Sequence, residues 1–548
     1  MTSLPDNLGN LIETDMLILG SGAAGCGAAI GAAEHGCRTV LVDKGKVESS
    51  GCLGGGNDHF MAVLNTDPET DSEEALVNFY KGPLSGYTPA MISRWAQAMP
   101  VMLDVLQEVG VEFVKNPDGT WLRTVGFGQP GSWFININNG QLIKRRLAKK
   151  VRALGVDVID HVMVTKLLAV DNQIAGAVGY HVLDGSLYVF KAKSVVLALG
   201  NSANRVTTNS TGNAFNTWHS PFNTGSQFVL AYDAGAKLIH LDLKQLATLV
   251  PKSFSSAGMN GINEVGAHEL NALGERFMAK YHPMMENGPR LFQILGTHQE
   301  LIEGKGPPFH MDMRHCDKEK LHHLQYVLMP GDKATFLDYC EQKGIDFAKY
   351  PMEVELSEIE LSGMLMTHEN FESTVDGLFN GCVFYNFSGS MCSGYIAATE
   401  AAKSLRQTAK IPPINRDEIY LEKERIFRPM KNSNGMRYDQ FESAIRQVMK
   451  YYMSYVRNQK GMEIALERLG LIESYLDTVM ASNYHELMRA NEAVHLLKIC
   501  RLATRASMER KESGRAIYRR SDYPDRDEAY AKILAMWQAD GQAQMSWL

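Results

Sequence analysis

Cysteine is scarce and unpaired in this sequence. The 548 residues contain eight cysteines, and no two of them form a Cys-x-x-Cys pair. Disulfide frameworks, structural zinc sites and iron–sulfur clusters all depend on closely spaced cysteines. We therefore expect free thiols, with neither a metal site nor an iron–sulfur cluster in this chain.

Long apolar runs and an early basic segment are also missing. The first basic residue is Arg38, and the N-terminal apolar run Met16–Leu19 is too short for a signal sequence or a membrane span. The formal net charge is −7, so there is no general basic field to hold nucleic acid or an anionic membrane. These absences predict a cytoplasmic protein with no membrane span and no nucleic-acid partner.

What the sequence does contain, near its start, is a glycine fingerprint. A short apolar run leads into Gly20-x-Gly22-x-x-Gly25, an Ala- and Gly-rich helical stretch follows, and a second apolar run ends at Asp43. In the dinucleotide-binding βαβ unit the first glycine permits the turn, the second admits the pyrophosphate, and the third lets the helix pack closely on the sheet. The phosphates lie at the helix N-terminus, where unpaired N–H groups favour negative charge.

Asp43 completes this unit and narrows the choice of cofactor. It lies 18 residues beyond Gly25, where an acid accepts hydrogen bonds from ribose hydroxyls. A carboxylate there would repel the 2′-phosphate of NADP. The residues of the unit leave NAD and FAD as the two alternatives.

Farther along, the chain divides into segments of different character. Residues 155–200 have the β-forming pattern of a meander that returns to a buried strand beside the first one, and the βα pattern resumes near Gly377. Between these regions the pattern loses its regularity, which indicates an inserted domain. The segment from about 413 onward is charged and helical.

Several motifs together resemble the flavoprotein subunits of the fumarate reductase, succinate dehydrogenase and adenylylsulfate reductase superfamily. They are the glycine fingerprint, Ser50-Gly51 with its glycine loop, the strand ending at Gly200, Asn271–Phe277 and Gly288-Pro-Arg290. The resemblance is closest to the adenylylsulfate reductase α subunit, through motifs at Trp133–Asn138, Ser210–Gly212, Trp218, Asn223–Ser226, His485–Ala490 and Arg520–Pro524.

This resemblance implies an α/β architecture with FAD as the cofactor. It implies a discontinuous Rossmann-like FAD-binding domain at 1–240 and 356–410, an inserted α+β capping domain at 241–355 and a C-terminal helical domain at 411–548. Substrate would lie between the cap and the flavin. The implied FAD contacts are Gly20, Gly22, Ala23, Ala24, Gly25, Asp43, Lys44, Ser50, Gly51, Gly55, Gly56, Asn57, Val164, Ala198, Gly200, Asn223, Ser226, Cys382, Gly389, Ser390 and Met391.

Two cofactor positions depart from the family pattern. Ser50 stands where succinate dehydrogenases carry the histidine that bonds covalently to FAD, so the resemblance implies a non-covalent flavin. Cys382 stands where the family usually has an acidic residue on the ribityl chain. The second change is expected to weaken cofactor binding.

On the substrate side the resemblance implies four residues: Arg205, Trp218, Arg290 and Glu358. Arg290 matches the cap arginine that fumarate reductases use as proton donor, and Glu358 falls where the family places a substrate-binding histidine. We expect both to be catalytic. The alternatives are an ion-paired surface arginine, and a solvated acidic face for the stretch from Glu353 to Glu360.

The leading functional interpretation is a catalytic FAD subunit that acts on a small, polar, anionic substrate. Because the chain lacks cluster cysteines and has one dinucleotide fold, electrons would pass to or from a ferredoxin-like iron–sulfur subunit in a heterodimer or larger oligomer. The alternatives are a stand-alone FAD dehydrogenase or oxidase of the fumarate reductase type and a non-catalytic flavin electron-transfer subunit.

Overall fold

A parallel sheet built on the first strand organises the molecule. The computed structural model describes residues 2–3, 9–126, 128–208, 210–254, 259–405, 411–539 and 541–548. Asn10–Leu19 lies between Thr39–Val42 and Leu187–Leu197, parallel to both, and Asp157–Ile159 pairs with Thr39–Val42 on the far side. Their fully buried Val, Leu and Ile runs suit strands that are covered on both faces.

The predicted meander returns to this sheet as expected. Val162–Val170 and Gln173–His181 form antiparallel pairs that lead into Leu187–Leu197. Leu197 aligns with Leu19, and Leu378–Asn380 pairs in parallel with the other edge of the same strand. Residues from both predicted parts of the FAD-binding domain therefore share one sheet.

Two helices on this sheet pack against each other through backbone-to-backbone contact. In the helix Ala23–Glu34, a Cβ on Gly27 would lie 2.0 Å from the carbonyl oxygen of Met391. In the helix Asn386–Leu405, a Cβ on Gly394 would lie 1.8 Å from the carbonyl oxygen of Ala24. Only glycine permits an approach this close.

A second sheet forms within the predicted cap. Its strand order is Leu249–Pro251, Met352–Leu356, Phe309–Asp312 and His268–Leu270, all antiparallel. The helices in this region are Met259–Glu264, Arg290–Ile302, Lys318–His323, Met329–Asp332 and Phe336–Lys343. The mixture of strands and helices fits an α+β cap, and its boundaries stay predictions.

The C-terminal region is helical but not to its end. Four long helices, Arg416–Lys431, Tyr438–Tyr452, Gln459–Glu473 and Tyr484–Glu509, are followed by the hairpin Leu534–Ala539 and Gln542–Trp547. Leu534–Ala539 pairs with Leu238–Ile239, which also pairs with Met364–Leu365. The expectation of helix to the last residue is wrong here, because alternating apolar residues of the hairpin complete a sheet begun nearly 300 residues earlier.

The remaining elements surround the first strand. The helices Glu73–Tyr80, Pro89–Glu108 and Ile143–Ala153 each bury one apolar face, and Ser226–Asp233 packs on the meander. A small antiparallel sheet contains His59–Met61, Glu112–Phe113, Arg123–Thr124 and Phe134–Asn138. None of the helices in the described part of the chain combines the length and apolar character that a bilayer crossing requires.

Candidate active site

Two glycine turns face each other at the end of the first strand. Gly20 has a φ of 94°, and a Cβ there would lie 2.3 Å from the Ala198 carbonyl oxygen. A Cβ on Gly25 would lie 1.9 Å from the carbonyl oxygen of Gly20. A Cβ on Gly22, in contrast, would meet nothing closer than the Gly51 Cα atom, at 3.7 Å. The space at Gly22 is open, as the sequence predicts for the position next to a pyrophosphate.

This open space lies at the N-terminus of a helix. Ala23 and Ala24 are the first residues of the helix Ala23–Glu34, and no side chain caps that end. The first N–H groups of a helix have no intrahelical partners and favour a negatively charged ligand. Helix and glycine turn together form a cradle for phosphate.

Asp43 lies beside the cradle and is held by two serines. Its Oδ2 accepts from the Ser21 backbone N–H at 2.7 Å and from the Ser21 hydroxyl at 2.8 Å, while its Oδ1 accepts from the Gly45 N–H at 2.7 Å and the Ser50 hydroxyl at 2.9 Å. Ribose hydroxyls would therefore replace serine hydroxyls at this carboxylate. Ser21 was missed by sequence reasoning, although it lies inside the fingerprint.

The second glycine loop, Gly51–Asn57, packs against the cap. Gly56 has a φ of 118°, and a Cβ there would lie 2.2 Å from the carbonyl oxygen of Gly331 in the cap. Gly140 packs behind this loop, where a Cβ would lie 1.9 Å from the Asn57 carbonyl oxygen and 2.9 Å from that of Gly331. Gly55 is exposed between these contacts. The glycine loop and the cap are thus in direct backbone contact.

Cys52, in the same loop, lies against Ser220 and Asn223. Its thiol accepts from the Ser220 N–H at 3.5 Å and from the Asn223 side chain at 3.7 Å. Solvent reaches this side chain, yet the surrounding protein desolvates it and raises the pKa of Cys52 to about 11. Cys382 lies near it, fully buried, with its pKa raised by burial to about 12.

The other predicted cofactor residues are spread over several elements of the fold. Gly200 has a φ of 91° and lies against Asn223, and the Ser226 hydroxyl lies 2.8 Å from His495 Nδ1. Lys44 donates to Glu492 at 2.6 Å. Val164 is buried in the meander, and Gly389, Ser390 and Met391 belong to the first turns of the helix Asn386–Leu405. Their contacts to a cofactor stay predictions.

On the cap side, three of the four predicted substrate residues come together. The Arg290 guanidinium lies 4.8 Å from the centre of the Trp218 ring, and the Trp218 backbone N–H donates to Glu358 Oε1 at 2.8 Å. Arg290 begins the cap helix Arg290–Ile302. Burial lowers its pKa to about 10, against the pull of Glu360, so it remains a cation at neutral pH.

Glu358 is buried, which excludes the solvated acidic face considered above. Its side chain is almost fully enclosed, and its Oε2 atom has no hydrogen-bond partner among the described residues. Burial, reinforced by the nearby Glu360 carboxylate, raises the pKa of Glu358 to about 7. A carboxyl group in this condition is able to hold or release a proton at Oε2 near neutral pH.

Sequence reasoning missed the pair of Glu360 and His219, which lies next to these residues. Glu360 is fully buried and accepts from the His219 backbone N–H at 3.1 Å and from its Nδ1 at 2.7 Å. Burial alone would lower the pKa of His219, but the Glu360 carboxylate raises it on balance. The sequence did contain a signal for this pair. Glu358 and Glu360 alternate with Ile359 and Leu361, so the two acids share one face of an extended chain.

Arg205, the fourth predicted substrate residue, is engaged elsewhere. It is fully buried, donates to Glu492 at 2.7 Å and lies 3.4 Å from Glu442. Both acids belong to the C-terminal helices, so Arg205 is held in an ion-pair network with that part of the chain, while its Nη1 atom has no hydrogen-bond partner among the described residues. Its predicted role in substrate binding gains no support from this position.

A second titratable cluster, also missed, lies between the cap and the glycine loop. His59 Nδ1 is 2.5 Å from Asp58 Oδ1, and Glu264 and Asp332 of the cap act electrostatically on His59. Burial raises the pKa of Glu264 to about 8, and burial with Asp58 close by raises that of Asp332 to about 7. Residues so far apart in sequence gave no local signal.

With this geometry established, comparison with known proteins identifies the family. Residues 15–377 match the FAD binding domain family, and residues 442–547 match the fumarate reductase flavoprotein C-terminal family. The chain belongs to the FAD-binding flavoproteins of the fumarate reductase type. It is thus an FAD-dependent oxidoreductase, and FAD, not NAD, is its cofactor.

Individual relatives support this assignment over almost the whole chain. One subunit of the fumarate reductase (CoM/CoB) of Methanothermobacter marburgensis is 26% identical over 94% of this chain and 95% of its own length. The adenylylsulfate reductase of Archaeoglobus fulgidus superposes with a TM-score of 0.88 at 24% identity, covering 98% of this chain and 96% of that chain. A structure of adenosine-5-phosphosulfate reductase with a covalent sulfite adduct gives 0.87 at 25% identity, covering 98% and 96%. The predicted family resemblance and fold class are confirmed.

The described residues fit FAD. The open space at Gly22 is one that a Cβ would fill, and it lies at an uncapped helix N-terminus beside the Asp43 carboxylate. The glycine loop carries Cys52, which lies against Ser220 and Asn223 and is acted on electrostatically by Glu360, so the loop runs from this cradle toward the residues around Glu358. A long cofactor with phosphates at one end and a ring system at the other suits this arrangement.

Proposed function

We propose that this protein is the catalytic flavoprotein subunit of an oxidoreductase that acts on a small, polar, anionic substrate between the flavin and the cap. The observation that carries the proposal is the cationic Arg290, desolvated against Trp218 in a site that also holds an unpartnered Glu358 oxygen. We further propose that the protein exchanges electrons with a separate iron–sulfur subunit. Support for that subunit is the absence of paired cysteines in the sequence and the naming of its relatives as subunits.

The chemistry would be divided between cofactor and protein. FAD, when bound, supplies hydride or electron transfer. Arg290 would hold an oxyanion of the substrate bidentately and stabilise the charge that develops on it, because a guanidinium in a desolvated site acts strongly on nearby charge. Trp218 would position the guanidinium, and the cap would exclude water.

Glu358 would act as the proton donor or acceptor for the substrate. Its Oε1 is fixed by the Trp218 N–H, which leaves Oε2 to give a proton to the substrate or take one from it. A pKa of about 7 suits either direction at neutral pH. Glu360 and His219 would hold the neighbouring charge and keep the Glu358 side chain in place.

The test is single-turnover flavin reoxidation in protein loaded with FAD. The protein is reduced with a viologen dye without oxygen and mixed with fumarate or with adenylyl sulfate, and flavin absorbance is followed. Arg290→Ala should slow reoxidation by about 10²–10³-fold, as expected for loss of a principal charge-stabilising donor. Arg314→Ala is the matched control, since Arg314 is an exposed cap arginine paired with Asp312.

Two results would count against this proposal. Rates for Arg290→Ala within threefold of wild type at full FAD occupancy would remove Arg290 from the site. Wild-type protein that reoxidises with neither compound nor any other small anion, but only with oxygen, would favour the stand-alone oxidase. The partner subunit is tested separately by iron analysis of complexes isolated from the native organism.

A further inference from the structure

Lys244 is a half-buried lysine in an aromatic pocket beside the proposed substrate site. Its ammonium nitrogen lies 4.2 Å from the centre of the Tyr87 ring and 5.4 Å from that of Tyr385. It donates to the Ser85 carbonyl oxygen and to the Met364 sulfur, both at 2.8 Å. No carboxylate lies within ion-pairing distance of Lys244 in the part of the chain that the structure describes.

One extended segment connects Lys244 to the catalytic group. Glu358, Glu360, Ser362 and Met364 alternate along the chain, and alternate residues of an extended chain share a face. Glu358 accepts from the Trp218 N–H, and Glu360 contacts the His219 ring. Ser362 lies 3.1 Å from the Tyr385 hydroxyl, and Met364 accepts from Lys244.

The turn that carries Lys244 is tied to this same segment. Two residues farther on, Leu246 exchanges backbone hydrogen bonds with Glu360 at 2.9 and 3.0 Å. Lys244 therefore occupies the end of this polar face opposite Arg290.

The groups around Lys244 do not neutralise it. Burial holds the pKa of His240, on the same turn, well below its ordinary value, and burial raises the pKa values of Tyr87 and Tyr385. All three are uncharged near neutral pH. The ring faces of the tyrosines favour a cation, but a carbonyl, a thioether and two rings leave its charge without an anion. Burial accordingly lowers the pKa of Lys244 to about 7.

We propose that Lys244 is a substrate-binding residue whose ammonium group takes an oxyanion of the substrate, a carboxylate or a sulfo-oxyanion, at the end of this polar face remote from Arg290. This inference rests on the proposed function, because it assigns part of the same substrate. Binding of the anion and protonation of Lys244 favour each other, since each charge lowers the free energy of the other in a desolvated pocket. Anion binding should therefore take up a proton when the free amine is neutral.

Isothermal titration calorimetry of the FAD-loaded protein tests this, with fumarate and sulfate as the probes, because neither titrates between pH 6.5 and 8.5. At pH 6.5, Lys244→Met should weaken binding at least tenfold. The pH dependence is measured in a Glu358→Gln background, since the Glu358 carboxyl also titrates near pH 7. In that background the Kd of at least one probe should rise tenfold or more between pH 6.5 and 8.5, and binding at pH 8.5 should take up nearly one proton, measured by comparing buffers of different ionisation enthalpy. Adding Lys244→Arg, which stays charged, should give a Kd constant within twofold and no proton uptake.

Lys237→Met is the matched control, because Lys237 also lies over an aromatic ring, 4.7 Å from the centre of Trp537, but precedes the strand Leu238–Ile239 and is not part of this polar face. It should leave both the Kd and the proton uptake unchanged. The inference is overturned if Lys244→Met binds both probes within twofold of wild type, if Lys244→Arg keeps the proton uptake, or if the wild type binds neither probe at millimolar concentration. Calorimetry needs no electron transfer, so failure of the proposed function appears separately, as wild-type protein that binds an anion but does not pass electrons to it.

Discussion

At the residue scale, the glycines of the fingerprint differ in what they do. Gly25 is required by the protein itself, because a Cβ there would overlap the backbone of Gly20, 1.9 Å away. Gly22 has no such neighbour, so we expect its lack of a side chain to serve the ligand and not the fold. This difference separates folding from cofactor binding at two positions only three residues apart.

Gly22→Val should therefore abolish FAD binding while leaving the fold intact. The added methyl groups would fill the open space next to Gly51 that the pyrophosphate needs. Flavin absorbance per protein and far-UV circular dichroism are the measurements. Gly25→Ala should instead lower the free energy of unfolding by about 1–3 kcal/mol, as overpacking does. Gly82→Val is the control, because a Cβ there meets nothing within 4 Å. A Gly22→Val protein that stays yellow, with full FAD occupancy, would show that the phosphates bind elsewhere.

Glu358 gives a residue-scale prediction about pH. Its pKa is raised in the folded state, so the folded protein holds the proton more tightly than the unfolded chain, and its contribution to stability falls as pH rises from about 4.5 to about 7. The difference amounts to about 3 kcal/mol. Glu358→Gln should remove this loss, which is measured as the change in unfolding free energy between pH 5 and pH 8 in urea. Exposed Glu319→Gln should keep the wild-type change, and an equal change in Glu358→Gln would show that the carboxyl is not desolvated.

At the scale of elements, the strongest local patterns were enough to predict the central sheet. The glycine fingerprint, the meander and the strand before Gly200 lie where the sequence places them, since each is encoded by neighbouring residues. The closing hairpin at 534–547 and the Glu360–His219 pair were not predicted. Both depend on partners from distant parts of the chain, such as Leu238 for the hairpin. Arg290, Trp218 and Glu358, which were taken from the family resemblance, lie together where the fold brings the cap and the sheet into contact. Arg205, taken from the same resemblance, lies elsewhere.

The contact between the glycine loop and the cap is an element-scale feature that substitution can test. A Cβ on Gly140 would press on the Asn57 and Gly331 carbonyl oxygens, whereas a Cβ on Gly331 would have 3.8 Å to its nearest neighbour. Gly140→Ala should therefore displace the loop and weaken FAD binding tenfold or more, and Gly331→Ala should bind FAD within twofold of wild type. Fluorescence titration of apoprotein with FAD measures both. Equal affinity in the two variants would mean that the loop adjusts without disturbing the cofactor.

At the scale of the whole molecule, the cap and the FAD-binding part contact each other through a cluster in which acidic side chains outnumber basic ones. Asp58 and His59 come from the FAD-binding part, and Glu264 and Asp332 from the cap. The raised pKa values of Glu264 and Asp332 mean that the closed arrangement binds protons that an open one would release. The pKa of His59, raised by Asp58 against the effect of burial, acts in the same direction, because that stabilisation is lost as pH rises through the folded pKa.

Closure of the cap should consequently weaken as pH rises from about 6 to about 9. Above pH 8 both cap acids lose their protons and repel Asp58, so the cap opens more often and its helix Phe336–Lys343 should exchange amide hydrogens faster, by about tenfold after correction for intrinsic exchange. The double variant Glu264→Gln, Asp332→Asn should exchange at a nearly constant corrected rate across this range, while Glu341→Gln, an exposed acid on the same cap helix, should follow the wild type. Amide exchange is measured by mass spectrometry. If the double variant keeps the wild-type pH dependence, contacts other than these acids govern the movement of the cap.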